Sequence, residues 1–324
     1  MASPNSSWTE IITTTIANRS RKLADSVSDN TAILQRLKQK GKIKTISGGN
    51  VIAQELEYAE NSSGTWYSGY EPLTVQVSDI ATAAEFAYKQ LAVAVTISGL
   101  EQLQNSGKEK MIDLISARIR NAEKTMVNTI ATAMYSDGTG TGSKEIGGLQ
   151  HLVANDSTTG TVGGINRATY SWWRNKVRDI SNAGSTASST VIQSHMNTLY
   201  MQLVRNNDAP DLILADNNYY GFYLASMQTI QRVTNTKMAE AGFINLKYMN
   251  ADVVLDGGAG GNCPSNTMYF LNTDYIHYRP HADRNMVPLD PDRFSTNQDA
   301  IVKLIGWAGN MTLSNAFLQG VLKT

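Results

Sequence analysis

His and Cys, the side chains most often used as nucleophiles, bases and metal ligands near neutral pH, are few, with four His and one Cys in 324 residues. His277 and His281 stand four apart, a spacing that brings two imidazoles together on a helix. Pro280 lies between them and blocks that helix. On an extended chain the pair would be about 13 Å apart, too far to share a metal. His195 falls on the apolar side of a predicted helix and reads as a core histidine. His151 has no partner at a recognisable spacing, and Cys263 precedes Pro264 in a loop with no catalytic partner. Asp290-Pro-Asp-Arg reads as a turn.

Phosphate-binding patterns fail in the same way. Gly107-Lys108 is followed by Glu109, and Gly142-Ser143-Lys144 has the wrong order for a phosphate loop. Gly138, Gly140 and Gly142 follow a predicted helix instead of opening one, so they read as a flexible loop. No Gly-x-Ser-x-Gly elbow supplies a nucleophile. The sequence therefore assigns no catalytic, cofactor-binding or metal-binding residue. An α+β enzyme without a recognisable site stays only as a remote alternative.

The periodicity behind these residues is clearer than the chemistry. From Glu109 to Tyr135, Ile112, Ile115, Ile119, Ala122, Met126, Ile130 and Ala133 recur at steps of three or four, the stripe of one long helix. Its 27 residues predict a rod of about 40 Å. Thr31–Lys40 predicts a short helix ending before Gly41. Val51–Tyr58 alternates as a strand, Asn61-Ser-Ser-Gly makes a tip, and the chain returns through 65–77 into a strand over 82–98. Further predicted elements are a turn and short strand at 146–153, helices over 186–206 and 217–230, and strands at 211–216, 251–256 and 267–272. Two alternating strands around Trp307 close the chain, over 300–321. The fold class is α+β, with long helices on mixed sheets and extended appendages.

Charge and composition point towards association. Charged residues are only 17% of the chain, against about 25% in ordinary soluble proteins. There are 28 Lys and Arg against 28 Asp and Glu, and 27 Asn. A net charge of zero argues against a dedicated DNA-gripping protein and favours self-association. One cysteine excludes a disulfide framework or a multi-cysteine metal site. No apolar run is long enough to span a bilayer, and the opening residues MASPNSSWTE lack the features of a signal peptide.

The charges are also segregated. Arg19–Lys44 holds eight basic residues and two Asp, whereas Val51–Tyr88 holds six acidic residues and no Lys or Arg. Adjacent segments of opposite sign suit arms that reach complementary neighbours. Trp8, Arg19, Arg21, Lys22, Lys40, Lys42 and Lys44 of the basic arm are candidate inter-subunit contacts. So are Glu55, Glu57, Tyr58, Trp66, Tyr67 and Tyr70 of the hairpin, whose aromatics could anchor on another subunit.

The order of these parts resembles a known family. A basic arm, a long hairpin and a spine-like helix come first. Ile165-Asn-Arg-Ala, Trp172-Trp173-Arg174 and the Pro210-Asp-Leu-Ile-Leu-Ala-Asp strand follow, and Trp307-Ala-Gly-Asn-Met-Thr-Leu-Ser-Asn closes the series. The chain resembles the major capsid proteins of tailed double-stranded DNA bacteriophages, with the HK97 fold. The resemblance implies an N-terminal arm at 1–45 and an extended E-loop hairpin with its return strand at 46–90. It implies a peripheral P-domain over 91–189 carrying the spine helix at about 109–135. An axial A-domain at 190–265 and P-domain return strands at 266–324 complete the division. The implied function is a non-enzymatic head protein of the virion, assembled in the bacterial cytoplasm from pentamers and hexamers around double-stranded DNA. An encapsulin-like compartment shares the fold and is the nearer alternative.

Some relatives join an E-loop Lys to an Asn. No Lys lies between Lys44 and Lys89, so that cross-link is not expected here. Only some 45 residues precede the hairpin, so the resemblance implies a separate scaffolding protein, alongside a portal. No cofactor and no membrane partner are implied.

Overall fold

The structure, a computed structural model, describes residues 31–73, 79–100, 108–227, 245–257, 261–294 and 300–324. The first elements are α1 (Ala32–Gln39), β1 (Ile52–Glu57), β2 (Ala81–Phe86), β3 (Lys89–Ser98) and the long helix α2 (Lys108–Ala133). Then come a tight pair, β4 (Thr161–Val162) and β5 (Ile165–Asn166), followed by β6 (Lys176–Asp179), α3 (Ile192–Leu203), β7 (Leu212–Ala215) and α4 (Asn217–Ser226). The chain closes with β8 (Asn245–Tyr248), β9 (Ala251–Leu255), β10 (Thr267–Leu271), β11 (Ile276–Phe294), β12 (Ala300–Leu313) and β13 (Gly320–Lys323).

A six-stranded mixed sheet in the order β6-β13-β10-β7-β9-β8 forms the centre. Ile213, Ala215, Val253, Met268, Phe270 and Leu322 face one core, together with Leu199 and Leu203 of α3 and Tyr219 and Tyr223 of α4. Leu212, Leu214, Val254, Tyr269, Leu271 and Val321 point the other way into the larger core. Burial on both faces explains why Leu212-Ile-Leu-Ala is apolar without alternation. Asp216 starts α4: its Oδ1 accepts from the Tyr219 N–H at 3.0 Å and its Oδ2 from the Asn266 N–H at 2.8 Å. Strands from 176–179, 267–271 and 320–323 share this sheet with those of 212–255.

The second sheet is antiparallel, in the order β11-β12-β3, with α2 packed against β3. Arg118 of α2 donates to the Thr96 carbonyl. The expected stripe is buried at Ile119, Ala122, Met126 and Ile130. The helix's 26 residues span about 39 Å at 1.5 Å each.

Several expectations need correction. The strand expected over 82–98 is two strands broken at Ala87 and Tyr88, and Asn310 Nδ2 donates to the Ala87 carbonyl there at 2.8 Å. The partner of β1 is β2, and no strand lies in 65–73; residues 74–78 fall outside the described residues. The short strand expected in 146–153 is a helical turn, Leu149–Leu152. It caps α2, because the Leu149 N–H donates to the Met134 carbonyl at 2.7 Å. The glycine loop after α2 folds into a turn at Gly140–Ser143. Ser136 and Thr141 hydroxyls donate to Glu145 across it, at 3.1 and 3.0 Å.

Trp307 does not separate two strands. It lies within β12, buried and stacked on Tyr278 with 5.9 Å between ring centres. The expected Asp290-Pro-Asp-Arg turn belongs to β11, a strand of 19 residues. This strand carries Pro280, Pro288 and Pro291 because it is an edge and its register shifts three times along β12. Edges and bulges are where a missing N–H donor is tolerated. Part of the outer side of β11 is covered by Ile43 and Ile46, which bridge to Tyr278 and His281.

The end of α2 is also tied to the end of β9. Tyr135 OH donates to Asp256, and Thr132 Oγ1 donates to Asn262 Oδ1 at 2.8 Å. Burial pushes the Asp256 carboxyl up to about 6, against the pull of the Tyr135 hydrogen bond. The folded chain therefore holds this proton more tightly than the unfolded chain does. The penalty for the buried charge is full above about pH 6 and fades as pH falls towards 3.8. Asp256→Asn should raise the melting temperature at pH 7.5 and flatten its dependence between pH 6.5 and 4, read by thermal scans across that range.

Packing at Gly148 supplies a second test. A Cβ there would meet the Met134 carbonyl oxygen at 2.5 Å and that of Ala133 closer still, whereas Gly48 has no heavy atom within 4 Å. Gly148→Ala should cost about 1–3 kcal/mol in urea titration, with Gly48→Ala close to neutral.

Candidate assembly surfaces

The histidines do not converge. His277 is buried in β11, where desolvation pushes its imidazole down to about 4. His281 packs edge-on against Tyr88. His195 sits in the smaller core and accepts from Arg178 Nε at 3.2 Å; burial and then the Arg178 charge lower its pKa. Burial, and then the Asp256 and Asp216 charges, push the Cys263 thiol up, away from the thiolate form. Among the described residues no three His, Cys, Asp or Glu side chains could jointly hold a metal ion.

The hairpin has a different character. Ile52, Leu56, Ala84 and Phe86 turn inward, while Ala53, Glu55, Glu57, Ala83 and Glu85 alternate outward. The Glu85 N–H donates to the Gly163 carbonyl at 2.9 Å, and the Phe86 ring lies over Gly163, seating the ladder on the β4–β5 turn. The outer face thus carries three carboxylates without a cation of its own. Beyond the ladder, Tyr58 stacks on Trp172 with ring centres 5.2 Å apart. The tip then leaves the body. Trp66 and Tyr70 are as exposed as in an open chain, at 102% and 107%, and Tyr67 and Leu73 are also exposed. Local bonds shape this segment: Ser63 N–H to Asn61 Oδ1 at 3.0 Å, and Ser68 N–H to Glu71 Oε2 at 3.1 Å. Burying such side chains is worth about 1.5–3 kcal/mol each, and a single copy leaves that gain unrealised.

Beside the hairpin is a cleft of about 720 Å³ that the sequence did not reveal. Tyr58, Trp172 and Phe317 supply its aromatic walls, and Arg174, Lys176 and Arg205 its cations. Arg174 donates to the carbonyls of Arg167 and Ala168, at 2.6 and 2.7 Å. Lys176 Nζ sits 3.8 Å from the centre of the Phe317 ring, and desolvation lowers its pKa. The Trp172-Trp173-Arg174 run was the available signal. Phe317 gave none, because it arrives from the far end of the chain.

The basic candidates divide. Trp8, Arg19, Arg21 and Lys22 lie outside the described residues. Lys40 Nζ pairs with Asp274 Oδ2 at 2.8 Å and Asp211 Oδ2 at 3.2 Å, and Lys42 Nζ with Asp274 Oδ1 at 3.6 Å. These two cations have acidic partners inside the chain, and Lys44 is exposed. Arg36 sets the pattern, with Nε 2.7 Å from Asp211 Oδ2 and Nη1 3.4 Å from Asp252 Oδ2. Asp211 Oδ1 and Oδ2 also accept from the Thr273 N–H and hydroxyl, at 2.7 and 2.8 Å. Helix α1 is thereby clamped to the central sheet.

No family model matches the chain, and no curated protein does. Solved structures do match. The capsid of cyanophage A-1(L) aligns with a TM-score of 0.63 at 16% identity, covering 87% of this chain and 90% of that one. The capsid of a native GTA particle aligns at 0.57 and 12%, covering 89% of each. The SrpI encapsulin of Synechococcus elongatus aligns at 0.51 and 7%, covering 90% and 88%. The fold is the HK97-type capsid fold, as the order of elements implied.

The Arg36 cluster is the most exposed to substitution. Arg36→Ala would leave Asp211 and the buried Asp252 sharing a site without their central cation. We expect a loss of roughly 3 kcal/mol in denaturant unfolding, and a smaller loss for Arg36→Lys.

Proposed function

We propose that this chain is the structural head protein of a tailed bacteriophage, assembling as pentamers and hexamers into an icosahedral shell around double-stranded DNA. The observation that carries this reading is the match of nearly the whole chain to a cyanophage capsid subunit. The exposed aromatic tip adds support, since Trp66 and Tyr70 are left fully in solvent for another copy to cover. The work of such a protein is association, with no bond made or broken.

In this reading residues 1–45 are an arm and 46–90 the E-loop hairpin. The P-domain spans 91–189 and 266–324, and the axial A-domain 190–265. Glu55, Glu57, Tyr58, Trp66, Tyr67 and Tyr70 contact neighbouring subunits. Trp8, Arg19, Arg21, Lys22 and Lys44 of the arm, with the flanks of Lys40 and Lys42, do the same. The chain acts in the virion after assembly in the bacterial cytoplasm, with a separate scaffolding protein and a portal. Low charge density favours this use, because amide and hydroxyl pairs form interfaces without desolvating many ions.

A second reading is an encapsulin-like compartment, favoured by the match to the SrpI shell. The two differ in contents, DNA for one and a protein cargo for the other.

Electron microscopy of the full-length protein, produced in bacteria, tests the shell. Closed particles with fivefold vertices, or the pentamers and hexamers that build them, are expected, and a chain that stays monomeric at high concentration overturns the proposal. Trp66→Ala combined with Tyr70→Ala should leave the melting temperature of the unassembled subunit unchanged. Shell yield should fall by roughly tenfold, the equivalent of about 1.4 kcal/mol.

A further inference from the structure

The cleft beside the hairpin and the tip beyond it are complementary, yet the same subunit does not join them. The chain passes the cleft at Tyr58 and then carries Trp66 wholly into solvent. Each surface lacks what the other has. The cleft offers the exposed faces of Tyr58 and Phe317 and the half-buried ring of Trp172. Two of its cations, Arg174 and Lys176, have no carboxylate partner among the described residues: one is held by backbone carbonyls, the other leans on an aromatic face. Arg205 is the exception, 3.3 Å from Asp208 Oδ2. The tip offers three unburied aromatics between Glu60 and Glu71.

We infer that the cleft of one subunit receives the hairpin tip of a second copy, with Trp66, Tyr67 and Tyr70 against Tyr58, Trp172 and Phe317, Glu71 beside Lys176 and Glu60 beside Arg174. The inference rests on the shell reading and deepens it by naming the receiving surface. Aromatic side chains inserted between aromatic walls gain apolar burial and ring–ring contact together. Lys176 gains a counter-charge where its surroundings already disfavour an isolated cation. A polyanion such as single-stranded nucleic acid could also stack on aromatics beside cations. Glu57 on the lip and Asp208 beside Arg205 favour a peptide with two separated carboxylates over a continuous phosphate chain.

Two experiments on the full-length protein test this. In the first, a Trp66→Cys chain and a tagged Phe317→Cys chain, both carrying Cys263→Ala, are mixed, assembled and treated with a short bis-maleimide. A cross-link between tagged and untagged chains is expected in assembled material and not in unassembled subunits. In the second, Glu71→Lys and Lys176→Glu should each lower the assembled fraction by roughly tenfold, and together restore most of it, as a direct charge pair requires.

Closed shells without the cross-link, or shells in which the swap does not rescue, overturn the cleft assignment while leaving the shell standing. So does a cross-link that forms only when both cysteines are in one chain. Loss of co-purifying nucleic acid in Lys176→Glu, with assembly unchanged, overturns it in favour of a nucleic-acid site. A chain that forms no multimer overturns the shell reading itself, and this inference with it.

Discussion

Leu212, Leu214, Val254 and Tyr269 on one side of the central sheet, and Ile213, Val253, Met268 and Phe270 on the other, are all removed from water. A sheet covered on both faces needs a layer above and a layer below, and the remaining elements take their places from that requirement. Helices α3 and α4 cover one face. The larger core, with α1, α2 and the β11-β12-β3 sheet, covers the other. The two cores share strands, so the halves of the molecule cannot move apart without opening β7, β9 and β10.

The attachments at the rim of this sheet are polar. Arg36 and Lys40 hold α1 to Asp211, Asp252 and Asp274, while Tyr135 and Thr132 hold the end of α2 to Asp256 and Asn262. These bonds are directional, so they fix α1 and the end of α2 relative to the sheet. The hairpin meets the body differently, through the stack of Tyr58 on Trp172. Its ladder is seated on the β4–β5 turn, whereas Trp66 and Tyr70 at its tip stand fully in solvent.

Much of the local structure was legible in the sequence. The α2 stripe, the short helix before Gly41 and the buried strand before Asp216 follow from neighbours two to four residues apart. The β1–β2 pairing, the long β11 and the helical turn at Leu149 did not. Three prolines argue against a strand when read locally, and only an edge position with register shifts makes them acceptable. The turn at Leu149 exists because the α2 carbonyls beside it need a donor, which no window around residue 149 reveals.

By itself the sequence determined where charge and aromatics stand along the chain: a basic segment, then an acidic hairpin with three aromatics in its tip. The tertiary structure decided which of them are still unpartnered. Lys40 and Lys42 find acids inside the chain, and Arg36 reaches Asp211 across 175 positions. Trp66 and Tyr70 stay fully exposed and Tyr67 largely so. The cleft lined by Tyr58, Trp172, Lys176 and Phe317 exists only once three distant segments are folded together. Periodicity is a property of adjacent residues, whereas counter-charges and cavities are made by residues that only packing brings within a few ångströms.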